Sequence, residues 1–264
     1  MLIVKVGGSE GINYDAFLKD FIHYKNTILI HGGSHELNKV STKLGHPPKI
    51  LTSISGFTSR YTDRKTMDIF NMVYGGKMNK MIVEKLHALG QNAIGLSGLD
   101  GRLFEGSRKK AIRVIKDGKK RIIRDDMTGK VEQVNIDLIT LLMDNGYTLV
   151  ITPPAISNEN IAINVDGDRL SAVVASAMNA DKLVILSNVP GLLRDTENYN
   201  TLIEKISRNE VEHYMDQFAK GRMKKKLLGA KEALDGGVSK VILGDCRNKN
   251  PLTSALNGQG TVIE

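Results

Sequence analysis

Two hydrophobic periodicities alternate along the chain. Short continuous apolar runs fall at residues 2–6, 27–30, 92–95, 149–152, 182–186 and 240–243. Between them, residues 14–24, 34–44, 62–74, 77–89, 135–145, 168–178 and 224–235 carry apolar side chains at helical spacing. Strand-length runs alternating with helix-length segments predict βαβ units and a mostly parallel sheet covered by helices on both faces. The rhythm breaks twice. Residues 111–124 turn strand-like about Asp117-Gly118, a two-residue hairpin signal. Residues 152–164 contain Pro153-Pro154 and then short β-like pieces, which read as a crossing between lobes. The expectation is an α/β chain in two lobes.

Composition removes whole classes. With 264 residues, 41% of them hydrophobic and 25% charged, the chain can bury a sizeable core. No apolar run approaches the roughly 18–20 residues of a membrane span. Residues 1–8 read as a strand and turn rather than a signal peptide. The single cysteine, Cys246, allows no internal disulfide, so a reducing cytoplasm is the expected location. The formal net charge is +8, and residues 108–124 hold nine basic side chains and one acid, Asp117. That segment carries the entire imbalance, so the basicity is local.

Candidate chemistry gathers at glycines and lysines. The first apolar run ends in Lys5-Val6-Gly7-Gly8-Ser9 and the second in His31-Gly32-Gly33-Ser34, directly before a helix. Paired glycines at a strand's C-terminal end let backbone amides approach an anion, and a helix N-terminus adds its dipole. Ligands of open α/β sheets bind at that end. Gly75-Gly76-Lys77-Met78 does not complete a Walker A loop, and Leu99 breaks a Gly-x-Ser-x-Gly elbow around Ser97. His31 and His35, four apart, could look like a metal pair, but the intervening Gly-Gly-Ser favours a phosphate turn. Lys220, Arg222, Lys224 and Lys225 are compatible with plain surface charge at a helix start.

Seven motifs occur in order: Lys5-Val-Gly-Gly, His31-Gly-Gly-Ser, Ser59-Arg60-Tyr-Thr, Gly95-Leu-Ser-Gly-Leu-Asp100-Gly, Asn164-Val-Asp166-Gly-Asp168, Ser187-Asn-Val-Pro-Gly191 and Gly221-Arg-Met-Lys-Lys-Lys226. The series resembles the amino acid kinase family, and within it the N-acetylglutamate kinase branch, over nearly the whole chain. The resemblance implies that residues 1–164 form an acceptor-binding lobe and residues 165–264 an ATP-binding lobe. It implies that Lys5 and Lys226 flank the transferring phosphoryl group, that Asp168 holds both lysines, and that Gly8 and Gly32 line the group with backbone amides. Gly33, Ser34, Arg60 and Asn164 would bind the acceptor. Asn188, Gly191, Leu193, Phe218 and Lys220 would flank the nucleotide, with Mg²⁺ expected beside ATP and no metal ligand assigned. Three positions depart from the family pattern: Ser34 and Arg222 stand where glycines are usual, and Asn188 where aspartate is common. The chain starts directly at its first strand, so feedback through an N-terminal helix is not expected. The resemblance favours a homodimer.

The chemistry agrees with the residue types. A carboxylate acceptor with a pKa of about 4 is ionised at neutral pH and needs no general base. The reaction instead needs two anions positioned and their charge countered. Arg60 and Asn164 suit a carboxylate-bearing amino-acid derivative but do not set its length. The basic hairpin suggests a polyanionic partner. One branch of the family phosphorylates aminoadipate or glutamate attached to an acidic LysW-type carrier protein, and this sequence is similar to that branch. Lys116, Lys119, Lys120 and Arg121 are the expected docking residues. Alternatives are an N-acetylglutamate kinase acting on the free small molecule, a solvated basic surface, and a nucleic-acid-binding ribbon. The ribbon has no aromatic residue for base stacking, which argues against the last. No membrane partner is expected.

Overall fold

The strands Leu2–Val6 and Thr27–His31 lie side by side and parallel near the middle of the main sheet, nearly every residue of both buried. The computed structural model describes residues 1–54, 56–116 and 119–264. Among these the main sheet has eleven strands. From Lys240–Asp245 it runs through Lys182–Ser187, Leu2–Val6, Thr27–His31 and Thr148–Ser157 to Ala93–Gly98, every neighbouring pair parallel. Antiparallel pairs occur toward its margins, where Thr261–Ile263 joins Lys240–Asp245 and Phe104–Arg108 joins Gly129–Val134.

Strand alternation sorts the core into two layers. Ile3 packs with Leu170, Val174, Leu227 and Ala230 from the helices Gly167–Ala177 and Arg222–Asp235. Val4 and Val6 face Phe17, Phe21, Ile82 and Leu252 on the opposite side, from the helices Tyr14–Phe21, Asn79–Ala88 and Pro251–Leu256. The expected α/β sandwich is therefore observed. A second sheet, antiparallel and four-stranded, stands apart from it. Ile112–Lys116 pairs with Lys119–Ile123, as the hairpin pattern predicts, and the predicted turn residues Asp117 and Gly118 lie outside the described residues. Ile50–Ser53 and Thr58–Arg60 complete that sheet and have no hydrophobic pattern that could have announced them.

Two expectations need correction. The segments 62–74 and 77–89 do not form separate helices. Arg64–Asn71 continues through a π-helical turn at Met72–Met78 into Asn79–Ala88. Met67, Phe70, Val73, Tyr74, Met78, Ile82 and Leu86 are all buried, so packing along this run outweighs the weak helix propensity of Gly75-Gly76. Nor does the fourth apolar run end at the prolines, since Thr148–Ser157 is one strand. Its ladder to Ala93–Gly98 ends at Thr152, and those to Ala162–Ile163 and Phe104–Arg108 use Ala155, Ile156 and Ser157. Pro153 and Pro154 occupy the gap, where no amide donor is required. Helices Val211–Phe218 and Pro251–Leu256 were not predicted, being short and mostly polar or proline-led.

Candidate active site

Register builds the site. Val6 is paired with His31, so the glycine turns that follow them emerge next to each other at the C-terminal edge of the sheet. They touch backbone to backbone: a Cβ on Gly8 would lie 2.1 Å from the Gly33 amide nitrogen, and one on Gly32 would lie 2.9 Å from that of Gly8. Only glycine permits this approach. Gly8 carbonyl oxygen accepts from Ser34 Oγ at 3.0 Å and from the His35 amide at 2.7 Å, tying the first turn to the start of helix Ser34–Lys43. His31 supports the pair from below. Its Nδ1 bonds to Gly32 carbonyl oxygen at 3.0 Å, and its Nε2 lies 3.1 Å from the amide nitrogen of Asn79. Nδ1 then carries the proton and Nε2 accepts, which fixes one neutral tautomer.

Burial pushes the His31 imidazole down to about 4, with Lys5 and Lys80 acting in the same direction. A depressed folded-state value means that the unfolded chain, with histidine near 6.5, binds the extra proton first. The stability this supplies is complete above pH 6.5 and is lost as pH falls toward 4. Urea unfolding at pH 7 and pH 5 should show a loss of about 2 kcal/mol that His31→Asn lacks. An equal loss in the variant would assign the acid sensitivity to other groups.

Above the turns sits an ionic triad. Lys5 lies on the Ile3 face of its strand and reaches Asp168 Oδ1 at 2.5 Å, while Lys226 reaches Oδ2 at 3.0 Å. The three residues are only 6%, 7% and 8% exposed (Lys5, Asp168, Lys226). Asp166 caps helix Gly167–Ala177 by accepting from the amides of Asp168 and Arg169, which places Asp168 in the first turn, where the helix dipole favours a carboxylate. Lys226 comes from helix Arg222–Asp235, and a glycine lets the two helices meet: a Cβ on Gly229 would be 3.0 Å from Asp168 carbonyl oxygen. Burial alone would raise the Asp168 carboxyl, but Lys226 and Lys5 outweigh it and hold the group ionised far below the usual range. Burial also lowers the Lys226 ammonium, with Asp168 acting against that shift. Two buried cations share one buried anion, so the triad keeps a surplus positive charge facing the cavity.

That cavity, about 250 Å³, is lined by Lys5, Gly8, Gly32, Gly33, Ser34, Arg60, Asn164, Asp168 and Lys226, and so gathers the whole expected catalytic, phosphate and acceptor set. Arg60 donates to Asn38 Oδ1 at 2.5 Å, and its buried Nη1 has no hydrogen-bond partner among the described residues. Asn164 is fixed by donating to Thr62 Oγ1 at 2.9 Å. Ser9, Tyr74, Arg222 and Lys225 are among the lining residues that the sequence reading did not assign to the site. Tyr74 faces Gly33 from the π-helical turn, and burial pushes its phenol up to about 12, so it stays protonated. Lys225 pairs with Asp166 at 3.4 Å, so it is not plain surface charge. Lys224 lies 5.5 Å from the Phe57 ring, and Lys220 is exposed.

The expected nucleotide residues lie outside this cavity. Asn188 donates to Glu10 carbonyl oxygen at 3.2 Å, and Gly191 packs tightly against Thr261. Leu193 is buried, while Phe218 lies under the Arg194 guanidinium at 5.3 Å, which joins the loop after strand Lys182–Ser187 to the end of helix Val211–Phe218. Among the described residues no group of three His, Cys, Asp or Glu side chains could hold a metal ion. His31 and His35 therefore form no such site with a third ligand. No helix among them is long and apolar enough to cross a membrane.

Strand-end glycine turns facing two buried lysines make a cationic cavity at the edge of an α/β sheet. The model of the amino acid kinase family matches residues 1–245, and the chain belongs to that family. It is 55% identical over 267 residues to the LysW-aminoadipate kinase of Deinococcus radiodurans, covering 100% of this chain and 91% of that protein. It is 51% identical over 269 residues to the LysW-aminoadipate kinase of Thermus thermophilus, with 100% of both chains covered. Among solved structures, carbamate kinase from Giardia lamblia bound to AMP-PNP has the same fold at 15% identity, with a TM-score of 0.67 over 99% of this chain and 98% of that one.

Proposed function

We propose that this kinase transfers the γ-phosphoryl group of ATP to the side-chain carboxylate of aminoadipate attached to an acidic carrier protein. A carboxylate oxygen attacks the γ-phosphorus, the bond to the β–γ bridging oxygen breaks, and ADP leaves with the electron pair. The product is an acyl phosphate, and no proton moves. Lys5 and Lys226 counter the charge on the phosphoryl oxygens, Asp168 fixes both ammonium groups, and the Gly8 amide contributes an oriented dipole, whereas the expected Gly32 amide is already donated to Val6 carbonyl oxygen at 2.9 Å. Arg60, Asn164, Gly33 and Ser34 hold the acceptor within residues 1–164. Residues 165–264 carry the nucleotide, flanked by Asn188, Gly191, Leu193, Phe218 and Lys220.

Mg²⁺ fits this scheme only as an ion that enters with ATP. The carboxylates at the cavity, Asp166 and Asp168, already face Lys225, Lys5 and Lys226, so the described residues offer no cage of their own.

The observation that carries the choice of acceptor is a second cavity of about 780 Å³ beside the first, with Ser59, Thr128, Val165, Asp166 and Lys225 lining both. The larger one runs under the antiparallel sheet, past Phe57, Lys109 and Ile112, and leaves room for a chain attached to the acceptor's amino group. Lys119, Lys120 and Arg121 are exposed on that sheet and supply the docking charge together with Lys116, whose side chain lies outside the described residues. The names of the two bacterial relatives support the same acceptor.

Acyl-phosphate formation, trapped as hydroxamate, tests this with carrier-linked aminoadipate, carrier-linked glutamate and free N-acetylglutamate in parallel. Turnover of the carrier-linked aminoadipate is expected, falling at least tenfold in kcat/KM when Lys119, Lys120 and Arg121 are changed to Glu. Comparable turnover of free N-acetylglutamate would sink the carrier assignment. Indifference to both the charge reversal and added salt would remove the hairpin from docking.

A further inference from the structure

The reaction cavity holds more positive charge than its own carboxylates balance. Lys5, Arg60, Arg222, Lys225 and Lys226 line it against Asp166 and Asp168. The lysines have these acids as partners. The two guanidinium groups form no ion pair among the described residues: Arg60 is bound to the amide oxygen of Asn38, and Arg222 donates to Ser9 Oγ at 2.9 Å. Burial lowers Arg60, and the nearby Arg222 pushes it in the same direction. Two like charges thus converge on one small space, each held only by a neutral oxygen.

Folding does not account for Arg222. It opens helix Arg222–Asp235, whose first turn has no acid and carries Lys224 and Lys225 as well. Cations at this end oppose the helix dipole. The exposed side chain nevertheless reaches Ser9, the residue that follows the Gly7-Gly8 turn. Its position also determines what it can reach. Arg222 and Lys226 are four residues apart on one helix and share a face, so both are presented to the same part of the cavity. Arg60 approaches from strand Thr58–Arg60 of the other sheet.

We propose that Arg222 binds the terminal phosphates of the nucleotide, exchanging the Ser9 hydroxyl for phosphate oxygens, while Arg60 is left to the acceptor. The planar fork of a guanidinium matches two phosphate oxygens, which a hydroxyl partner does not exploit. In the transfer step Arg222 adds a third cation beside Lys5 and Lys226 on the side from which ADP departs. The inference rests on the kinase reading, though not on which acceptor is used.

Binding of AMP-PNP and of AMP to the full chain, with Mg²⁺ present, tests it in the unaltered protein, Arg222→Ala and Arg222→Lys. Arg222→Ala should weaken AMP-PNP about 10–100-fold and leave AMP, which lacks the terminal phosphates, within twofold. Arg222→Lys should restore part of the loss. The unfolding midpoint should be unchanged or slightly higher, because a charge unfavourable to the helix is gone. AMP-PNP affinity within threefold of the unaltered chain, or an equal loss for AMP, overturns the proposal. So does a raised KM for the acceptor with AMP-PNP binding intact, which would give Arg222 to the acceptor. Failure of the carrier reading shows separately, as absence of acyl phosphate on carrier-linked aminoadipate with the unaltered chain.

Discussion

Replacing Lys226 with Met should lower single-turnover acyl-phosphate formation by about 10²–10³ and change AMP-PNP affinity far less. Met keeps most of the volume of a side chain that is 8% exposed, so the buried space it fills stays occupied. What disappears is a cation held 3.0 Å from Asp168 and facing the cavity. The transferring phosphoryl group gains its demand for positive charge as the bond to ADP breaks, so the loss should fall on kcat rather than KM. Lys5→Met should behave alike, because Lys5 approaches Asp168 from the strand side at 2.5 Å. If either variant turned over at the unaltered rate, that lysine would leave the mechanism. If its deficit lay wholly in the KM for ATP, it would be a ground-state binding group.

Asp168→Asn should be the most damaging single change to stability, costing about 3–5 kcal/mol in urea unfolding without nucleotide. The substitution keeps the shape and removes the charge that pairs directly with both buried ammonium groups. Burial already lowers Lys226, and Asp168 is the main influence that opposes this. Without it Lys226 falls further below its unfolded value. A cation with a depressed folded-state pKa contributes stability above its unfolded pKa and loses it as pH falls through that value, so the variant should gain stability as pH rises from 8 toward 10. A loss under 1 kcal/mol, with no such rise, would mean that the triad is not the buried electrostatic unit described here. Turnover should fall along with stability, since neither lysine keeps its anchor.

The contribution of each residue to legibility was uneven. Alternating apolar runs showed the parallel sheet because its strands are buried on both faces, and a run such as Ile28-Leu29-Ile30 has no other economical fate. The hairpin was legible from Asp117-Gly118 between two strand-like stretches, but its partners Ile50–Ser53 and Thr58–Arg60 were not. Those strands are partly or fully exposed, so no hydrophobic alternation marks them. Pro153-Pro154 misled for a related reason: a proline pair usually ends a strand, and only the ladder on either side shows that no donor was needed there. Lys225 and Arg222 looked like surface charge because the sequence does not reveal that the start of their helix reaches Asp166 and Ser9.

By itself the sequence determined the α/β class, the glycine turns after Lys5 and His31, the concentration of charge in residues 108–124, and the set of side chains able to counter two anions. These are local properties, set by periodicity, backbone freedom and residue chemistry within a few positions. Only the tertiary structure decided that Lys5 and Lys226 meet at Asp168, that Arg222 reaches Ser9, and that a second cavity adjoins the first. Those are contacts between residues from 58 to 213 positions apart in the chain, created by strand register and by helices brought together at Gly229. Side chains that distant are brought into contact by burial of the apolar layers between them, which no short stretch of sequence records.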